Sequence, residues 1–306
     1  MAVVAVGLSY KSAPLELLER STIPAEHSAE AVQALLERDA ISEAVVISTC
    51  NRVEVYAAGE DAAASVDAIR DVFVERCRVD ANALEAGLYV YTGDEVADHL
   101  FRVASGLDSM ILGETEVLGQ VRRGFRSGAA GTELSPLFQH ALRAGKRVRA
   151  ETDLPFGGGS FVFAAAELVR GAGRRIVVVG TGRVGQGVAR ELEGLDVVVL
   201  GRARLGDLEA ELAGADAAVF CTASPGILAD RALIERTRPA LVVDIAVPRD
   251  VDPSAGEVDG VRLVGLDEVA ALARSEGAST STAEAIVEEE LATRSDRLAR
   301  RAQLGP

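Results

Sequence analysis

The sequence of 306 residues has few of the residues that build disulfide frameworks, metal clusters or membrane spans. Its only cysteines are Cys50, Cys77 and Cys221, too few and too scattered for a disulfide framework or a zinc site, so we expect no metal. No apolar run approaches the roughly 20 residues that a membrane-spanning helix needs. The N-terminus has no basic leader before its apolar stretch, so we expect no signal peptide and a cytoplasmic location.

Lysine is also scarce. Only two of the 32 basic residues are lysines, and 47 acidic residues give a formal net charge of −15. An acidic, lysine-poor surface would suit a host with high internal salt, because salt screens repulsion between like charges. A GC-rich genome, which favours arginine codons, explains the same composition equally well. The negative charge argues against broad, nonspecific affinity for nucleic acids.

Hydrophobic residues make up 48% of the chain, enough for about two domains with cores of their own. Short β-rich runs and helical periodicity alternate over roughly the first 92 residues in the order β-α-β-β-α-β. The predicted strands are 2–9, 44–49, 53–58 and 87–91, and the predicted helices are 28–38 and 62–76. This order predicts a ferredoxin-like α+β domain. Residues 94–150 lack strand character and predict a helical extension of it.

Strands separated by helices follow from Arg174 onward. The predicted strands are 174–180, 196–200, 216–221, 240–245 and 261–264. This alternation predicts a Rossmann-type, doubly wound parallel sheet, so the fold class is α/β. A charged helix is predicted at 284–301, where Val287, Leu291 and Leu298 share a thin apolar face. The predicted domains are residues 1–153, 154–275 and 276–306.

A glycine motif, G-x-G-x-x-G, follows the first of these strands and opens a helix. It consists of Gly180, Thr181, Gly182, Arg183, Val184 and Gly185. In this context the motif indicates a dinucleotide site, because glycines let the backbone approach a pyrophosphate at a helix N-terminus. A tight strand-to-helix turn without a ligand is the alternative.

The next strand bears on the choice between NAD and NADP. An NAD site usually carries an acidic residue at the end of that strand, about 20 residues after the motif, to bind the ribose hydroxyl. Here the strand ends at Leu200, and Arg202 and Arg204 follow. Arg202, helped by Arg204, can meet a 2′-phosphate, which predicts NADPH. A solvated loop arginine is the alternative interpretation of Arg202.

Cys50 lies in a polar turn between two predicted strands, in the segment Ser-Thr-Cys-Asn-Arg. A thiol in such a turn is accessible, and Arg52 would favour the thiolate if the turn folds back. A structural cysteine explains the same residues equally well. Cys77 ends a helix and Cys221 ends a buried strand, positions that favour packing.

His99 precedes an unusual stretch, 105–116, that mixes glycine, small polar residues and acids at a helix boundary. Such a stretch is typical of a substrate-binding loop. A nucleophilic cysteine usually needs a base or acid nearby, and His99 is a candidate. A histidine on a helix surface is the alternative.

Several long segments together resemble the glutamyl-tRNA reductases. They are residues 48–57, 98–121, 145–154, 177–185 and 242–253. The resemblance implies an NADPH-dependent oxidoreductase that makes glutamate-1-semialdehyde from glutamyl-tRNA, the first step of five-carbon-route tetrapyrrole (porphyrin) biosynthesis. In this reaction Cys50 attacks the aminoacyl ester, a thioester forms, and NADPH reduces it.

The resemblance also assigns residues. His99 matches the activity-critical histidine of the family, and Arg52 is the candidate to pair with the glutamate side-chain carboxylate. The residues expected to bind the glutamyl group are Thr49, Asn51, Arg52, Ser109, Glu114, Thr115, Glu116 and Gln120. Residues 1–153 are then the catalytic and tRNA-binding domain, 154–275 the NADP-binding domain, and 276–306 the start of a spinal helix that leads family members into a dimerisation domain.

The family implies partners as well. Glutamyl-tRNA is the substrate, the next enzyme, glutamate-1-semialdehyde aminomutase, is a candidate partner, and family members form homodimers. Two basic clusters are candidate tRNA-binding surfaces on this acidic chain, although solvated helix faces explain them nearly as well. They are Arg122, Arg123 and Arg126, and then Arg143, Lys146, Arg147 and Arg149.

Two other functions stay open at this point. A semialdehyde dehydrogenase that acts on an acyl phosphate would use the same cysteine and cofactor without tRNA. A noncatalytic binding or regulatory protein could retain the fold.

Overall fold

The structure, a computed structural model, describes residues 1–49, 51–77, 81–109, 112, 115–152, 154, 159–222, 224–274 and 280–304. The chain divides into a first unit, Met1–Gly157 with Ser279–Pro306, and a second unit, Gly158–Ala278. The C-terminal residues therefore group with the N-terminal ones. The functional roles of the predicted domains stay predictions.

The strands are β1 (Ala2–Ser9), β2 (Glu43–Ser48), β3 (Arg52–Gly59), β4 (Tyr89–Thr92), β5 (Arg175–Val179), β6 (Asp196–Leu200), β7 (Ala217–Phe220), β8 (Leu241–Asp244) and β9 (Arg262–Gly265). The helices are α1 (Leu15–Ser21), α2 (Ser28–Leu36), α3 (Ala62–Cys77), α4 (Ala81–Gly87), α5 (Asp94–Ala104), α6 (Thr115–Ser127), α7 (Leu134–Glu151), α8 (Gly159–Arg170), α9 (Arg183–Glu191), α10 (Leu208–Leu212), α11 (Arg231–Thr237), α12 (Leu266–Arg274) and α13 (Ser281–Leu304).

The first unit is built on an antiparallel sheet of order β2-β3-β1-β4. This is the strand order that a ferredoxin-like β-α-β-β-α-β chain produces, which confirms the predicted fold class. The short helices α1 and α4 were not predicted, because seven residues give too little periodicity to detect.

Both faces of this sheet are covered. One face packs with residues of α1 to α4 and the other with residues of α5, α6, α7 and α13. In β3, Val53, Val55 and Ala57 point to the first face, whereas Tyr56 and Ala58 point to the second. Every residue of β3 is buried, because helices cover both faces of the sheet.

Helix α6 lies directly on the edge of β2. A Cβ atom at Gly124 would come within 2.5 Å of the Val46 carbonyl oxygen, and one at Gly128 within 2.9 Å of the Ala44 carbonyl oxygen. Ala44 and Ala129 exchange backbone hydrogen bonds of 3.1 and 2.8 Å. The two glycines thus let the helix cover an edge strand that would otherwise expose unpaired backbone groups.

The second unit has a parallel sheet of order β6-β5-β7-β8-β9. Its chain order reverses beside β5, so the ends of β5 and β7 flank the crevice where doubly wound sheets bind ligands. Helix α8 packs against α9 and α12. Within the described residues, no helix is long and apolar enough to cross a membrane.

Candidate functional site

A buried charged network lies on the face of β3 that the helical extension covers. The network consists of Arg52, Glu54, Tyr56, Tyr89, His99 and Asp108. Its centre is Glu54, whose side chain is 0% exposed. A carboxylate is rarely buried this completely unless cations and hydrogen-bond donors surround it, so the network marks a specialised site.

The Glu54 carboxylate accepts four hydrogen bonds. Its Oε1 accepts from Arg52 Nη1 at 2.7 Å, Tyr89 OH at 2.6 Å and His99 Nε2 at 2.8 Å. Its Oε2 accepts from Tyr56 OH at 2.8 Å. Burial opposes the charge, but Arg52 and then His99 outweigh it and hold the pKa of Glu54 well below its usual range. Glu54 is therefore an anion, and both of its oxygens already accept hydrogen bonds.

Arg52 joins β3 to the loop after α5. Its Nη1 also donates to Asp108 Oδ2 at 3.0 Å, and its Nη2 donates to the Asp108 carbonyl oxygen. The Asp108 carboxylate also contacts the exposed Lys11 ammonium. Burial disfavours the Asp108 charge, but Arg52 and Lys11 lower its pKa. Arg52 is 1% exposed, so its guanidinium is buried together with these partners.

His99 lies on the buried face of α5 and is 7% exposed, which excludes the interpretation as a surface histidine. Its ring stacks on Tyr91 with centroids 4.5 Å apart and meets Tyr89 edge-on at 5.4 Å. Because the Glu54 carboxylate can only accept, His99 Nε2 must carry the proton in their hydrogen bond. In the neutral ring the lone pair then lies on Nδ1.

Other predicted substrate residues lie around the turn between β2 and β3. The Thr49 hydroxyl accepts from the backbone N–H groups of Asn51 at 3.1 Å and Arg52 at 3.2 Å. Thr49 and Asn51 are buried. Ser109 is buried next to Asp108, and its hydroxyl has no hydrogen-bond partner among the described residues. A buried hydroxyl of this kind is available to a ligand.

Two further predicted substrate residues lie on α6. Glu116 is exposed near the start of α6, and Gln120 lies half-buried one turn later, in a cleft beside β2. Cys50 and Glu114 lie outside the described residues, and the side chain of Thr115 does too. Their predicted roles stay predictions.

The sequence interpretation missed Glu54, Tyr56, Tyr89 and Asp108. Polar side chains at alternate positions of β3 resemble the solvated face of a half-exposed strand, so the sequence pattern did not indicate a buried network. Glu54 contacts His99, 45 residues away, and Arg52 contacts Asp108, 56 residues away. Only tertiary folding brings these residues together.

In the second unit, the glycine motif lines a cleft of about 360 Å³ at the ends of β5, β6 and β7. We call it the glycine cleft; its lining includes Gly180, Thr181, Gly182, Arg202 and Cys221. Gly180 has φ +131°, a conformation that favours glycine. A Cβ at Gly182 would meet nothing within 4 Å, whereas one at Gly185 would lie 2.1 Å from the Gly180 carbonyl oxygen.

These glycines match the three roles of a dinucleotide fingerprint. Gly180 makes the tight turn, Gly182 leaves the backbone open to a ligand, and Gly185 allows close packing. Helix α9 starts at Arg183, directly after Gly182, so its N-terminus faces the opening. Val184 continues α9. The residues therefore fit a bound dinucleotide.

Arg202 and Arg204 have different surroundings. Arg202 is exposed, lines the glycine cleft and pairs with no carboxylate among the described residues. Arg204 contacts Asp207 and Glu211, both at 3.0 Å. Only Arg202 is thus available for a phosphate, and the help expected from Arg204 would require it to leave two carboxylates.

Cys221 and two aspartates lie near the ends of β7 and β8. Burial, with Asp250 and Asp244 nearby, raises the pKa of the Cys221 thiol to about 12. Burial raises the pKa of Asp244 to about 6, although backbone N–H groups of Val251 and Ala246 oppose the shift. A thiol with so high a pKa is a poor nucleophile at neutral pH.

Comparisons with known proteins agree with this geometry. Residues 6–152 match the family described as Glutamyl-tRNAGlu reductase, N-terminal domain, and residues 193–272 match the family described as Shikimate / quinate 5-dehydrogenase. The chain is 41% identical to the glutamyl-tRNA reductase of Kineococcus radiotolerans, over 95% of this chain and 74% of that one. It is 34% identical to that of Bacillus subtilis, over 88% and 67%.

A solved structure is similar along nearly the whole chain. The glutamyl-tRNA reductase from Methanopyrus kandleri is 31% identical and superposes with a TM-score of 0.52. The similarity covers 97% of this chain and 80% of the solved one.

Proposed function

This chain belongs to the glutamyl-tRNA reductase family, and from that premise we propose that it reduces glutamyl-tRNA to glutamate-1-semialdehyde in tetrapyrrole biosynthesis. The proposal is that of an oxidoreductase with Cys50 as nucleophile and NADPH as reductant. The observation that carries it is the Glu54 network, which begins at Arg52, two residues after Cys50, and includes His99.

In the proposed first step, the Cys50 thiolate attacks the carbonyl carbon of the aminoacyl ester. A carbon–sulfur bond forms, the bond to the ribose oxygen breaks, and tRNA leaves with a proton on that oxygen. The product on the protein is a glutamyl thioester. A thioester carbonyl accepts hydride far more readily than a carboxylate does, which is why a covalent step is useful here.

The Glu54 network supports this step because it fixes the side chains of Arg52 and His99 in place. Arg52 stands two residues after Cys50 in the sequence, and in the proposal its positive charge favours the thiolate. Glu54 also fixes the proton of His99 on Nε2. The Nδ1 lone pair of a neutral His99 is thereby left to accept a proton from the thiol or return one to the leaving oxygen.

The predicted role of Arg52 in binding the substrate carboxylate is less well supported. Its guanidinium already contacts Glu54 and Asp108, so a third carboxylate would have to displace Asp108. We therefore assign Arg52 mainly to positioning. Ser109, with its buried and unpartnered hydroxyl, is the better candidate for a direct contact with the glutamyl group.

The glycine cleft is the proposed NADPH site. Gly180 and Gly182 would hold the pyrophosphate against the N-terminus of α9, and Arg202 would pair with the 2′-phosphate. When bound, NADPH would supply the hydride that reduces the thioester to the aldehyde, and the carbon–sulfur bond would break to return the Cys50 thiolate. The predicted cytoplasmic location, the homodimer and the partnership with the aminomutase stay predictions.

The decisive experiment traps the acylated protein. Incubation with glutamyl-tRNA in the absence of NADPH should give a glutamyl adduct on the Cys50 peptide, detected by mass spectrometry. Cys50→Ser should form no such thioester. Cys221→Ser is the matched control, because the high pKa of Cys221 predicts no adduct there and no loss of acylation. An adduct that persists in Cys50→Ser would refute the mechanism.

Ribonuclease treatment separates this function from the acyl-phosphate alternative. If glutamyl-tRNA is the substrate, digestion before the assay should abolish semialdehyde formation. A semialdehyde dehydrogenase fed an acyl phosphate would be unaffected.

A further inference from the structure

The first unit also has a cleft, of about 420 Å³, which lies between α6 and the edge of β2. We call it the α6 cleft; its polar lining is Ser28, Ser48, Gln120, Arg123, Arg126 and Ser127. The helix side supplies residues at positions 120, 123, 124 and 127, which share one face at intervals of three and four. Gly124 brings this face against the β2 backbone.

The α6 cleft borders the segment that precedes the proposed nucleophile. Ser48, the last residue of β2, lines the cleft and stands two residues before Cys50 in the sequence. The cleft is therefore a candidate site for the part of the substrate next to the reacting ester.

The arginines of the α6 cleft are unpaired. Neither Arg123 nor Arg126 contacts a carboxylate within the part of the chain that the structure describes. The Arg123 guanidinium folds back over Gly119, 3.6 Å from where a Cβ of that residue would lie. On a chain with net charge −15, two exposed and uncompensated arginines at one cleft are available to an anion.

Two arginines of the second basic cluster are already paired with carboxylates. Arg143 contacts Glu290 at 3.2 Å, and Arg147 contacts Glu289 at 3.0 Å and Glu290 at 3.1 Å. These glutamates belong to α13, which packs along α7. The charges of Arg143 and Arg147 thus hold α13 in place, which leaves the α6 cleft as the better of the two candidate surfaces.

We propose that the α6 cleft binds the ribose–phosphate backbone at the 3′ end of the RNA, with Arg123 and Arg126 on phosphates and the serine hydroxyls on phosphate or ribose oxygens. The inference rests on the proposed function, because an ester on the terminal ribose must lie beside Cys50. Guanidinium groups and hydroxyls are the usual protein donors to nucleic-acid backbones.

The test measures binding, so it does not depend on catalysis. We would determine the Kd of uncharged glutamate tRNA for the wild type, for the double variant Arg123→Gln/Arg126→Gln, and for Arg122→Gln. Arg122 is a matched control, because it is on the same helix and does not line the cleft. The double variant should raise Kd at least about 10-fold, and Arg122→Gln should change it less than about 2-fold.

The salt dependence identifies phosphate contacts. Loss of two contacts to a single strand should reduce the slope of log Kd against log salt concentration by about 1.4. An unchanged Kd and slope in the double variant would overturn the inference, as would an equal loss in Arg122→Gln. Failure of the proposed function has a different signature, namely no adduct on Cys50 in a wild-type protein whose tRNA affinity is normal.

Discussion

The two units build their sites in opposite ways. In the first unit, buried polar and charged side chains from β3, β4 and α5 converge on one carboxylate, Glu54, and Arg52 links it to Asp108 in the following loop. In the second unit, glycines from one turn shape an open cleft, and Arg202 is its exposed cation. The first site depends on electrostatics among side chains, and the second on backbone shape.

This difference determines how each site responds to mutation. Removing one member of a buried charged network leaves its partners unpaired in a medium of low polarity, which costs both stability and geometry. Changing a residue that borders an open cleft affects ligand binding, while the fold tolerates it. We therefore expect mutations in the network of the first unit to lower stability and activity together. In the second unit, we expect separate mutations to lower either stability or ligand binding.

The largest effect is expected for Glu54→Gln. This change keeps the size of the side chain but leaves the buried Arg52 guanidinium without its main counterion. Breaking a buried ion pair costs roughly 3–5 kcal/mol. Loss of the ordered His99 should also lower kcat at least about 100-fold. Chemical denaturation and steady-state reduction of glutamyl-tRNA measure the two effects.

Glu43→Gln is the matched control for Glu54→Gln. Glu43 is another buried glutamate, on the neighbouring strand β2, and it accepts backbone N–H groups of Gly131, Glu133 and Leu134 at 2.8 to 3.1 Å. Its replacement should cost about 1–3 kcal/mol and leave kcat near the wild-type value. Equal losses of kcat in both variants would contradict a special role for the Glu54 network.

In the second unit, two glycines of one motif should separate folding from binding. Gly185→Ala places a methyl group 2.1 Å from the Gly180 carbonyl oxygen, so it should destabilise this unit by about 1–3 kcal/mol or more. Gly182 has φ −70° and open space above it, so alanine fits the fold. Gly182→Ala should instead weaken NADPH binding at least about 10-fold, because the methyl group blocks the backbone from the pyrophosphate.

Thermal unfolding and calorimetric titration with NADPH measure the two glycine variants. A Gly182→Ala protein that binds NADPH normally would mean that the cofactor does not approach this turn.

A smaller effect is expected at Arg202. Arg202→Ala should raise the Kd for NADPH roughly 10-fold, because a charged hydrogen bond to the 2′-phosphate is lost, and should leave the Kd for NADH unchanged. Arg204→Ala is the control, since Arg204 contacts Asp207 and Glu211. If Arg202→Ala raised the Kd values for NADPH and NADH equally, Arg202 would not contact the 2′-phosphate.

The sequence predicted the second site more completely than the first, and the reason is physical. The glycine motif, its strand and its helix are consecutive in the chain, so local geometry alone determines the turn. His99 was a candidate from its place before an unusual loop segment, but a surface histidine stayed an alternative, and Ser109 was assigned only through resemblance to a family. Glu54 was not identified, because its burial depends on α5, α6 and α7 covering the second face of the sheet.

Charge pairing also depends on folding. Two arginine clusters looked equivalent in the sequence, but α13 places Glu289 and Glu290 against only one of them. Sequence patterns gave the position of the α13 helix but not its partner, because its apolar face is thin. Ile286 and Val287 on this face are buried in the core of the first unit.

The last predicted effect is a difference in the pH dependence of local stability. In the first unit, Glu54 and Asp108 have lowered pKa values, so their stabilisation is complete above about pH 4 and is lost as the pH falls further. In the second unit, the pKa of Asp244 is raised to about 6, so its stabilisation is present below about pH 4 and is lost as the pH rises through 6.

Between pH 4.5 and 7 the two units should therefore diverge. Hydrogen exchange, corrected for intrinsic rates, should show β8 losing on the order of 2 kcal/mol of protection as the pH rises, while β3 loses none. Asp244→Asn should flatten the dependence at β8, because the amide does not ionise. Parallel pH profiles for β3 and β8 would contradict this prediction. They would mean that the buried carboxylates of the two units titrate alike, although their surroundings differ.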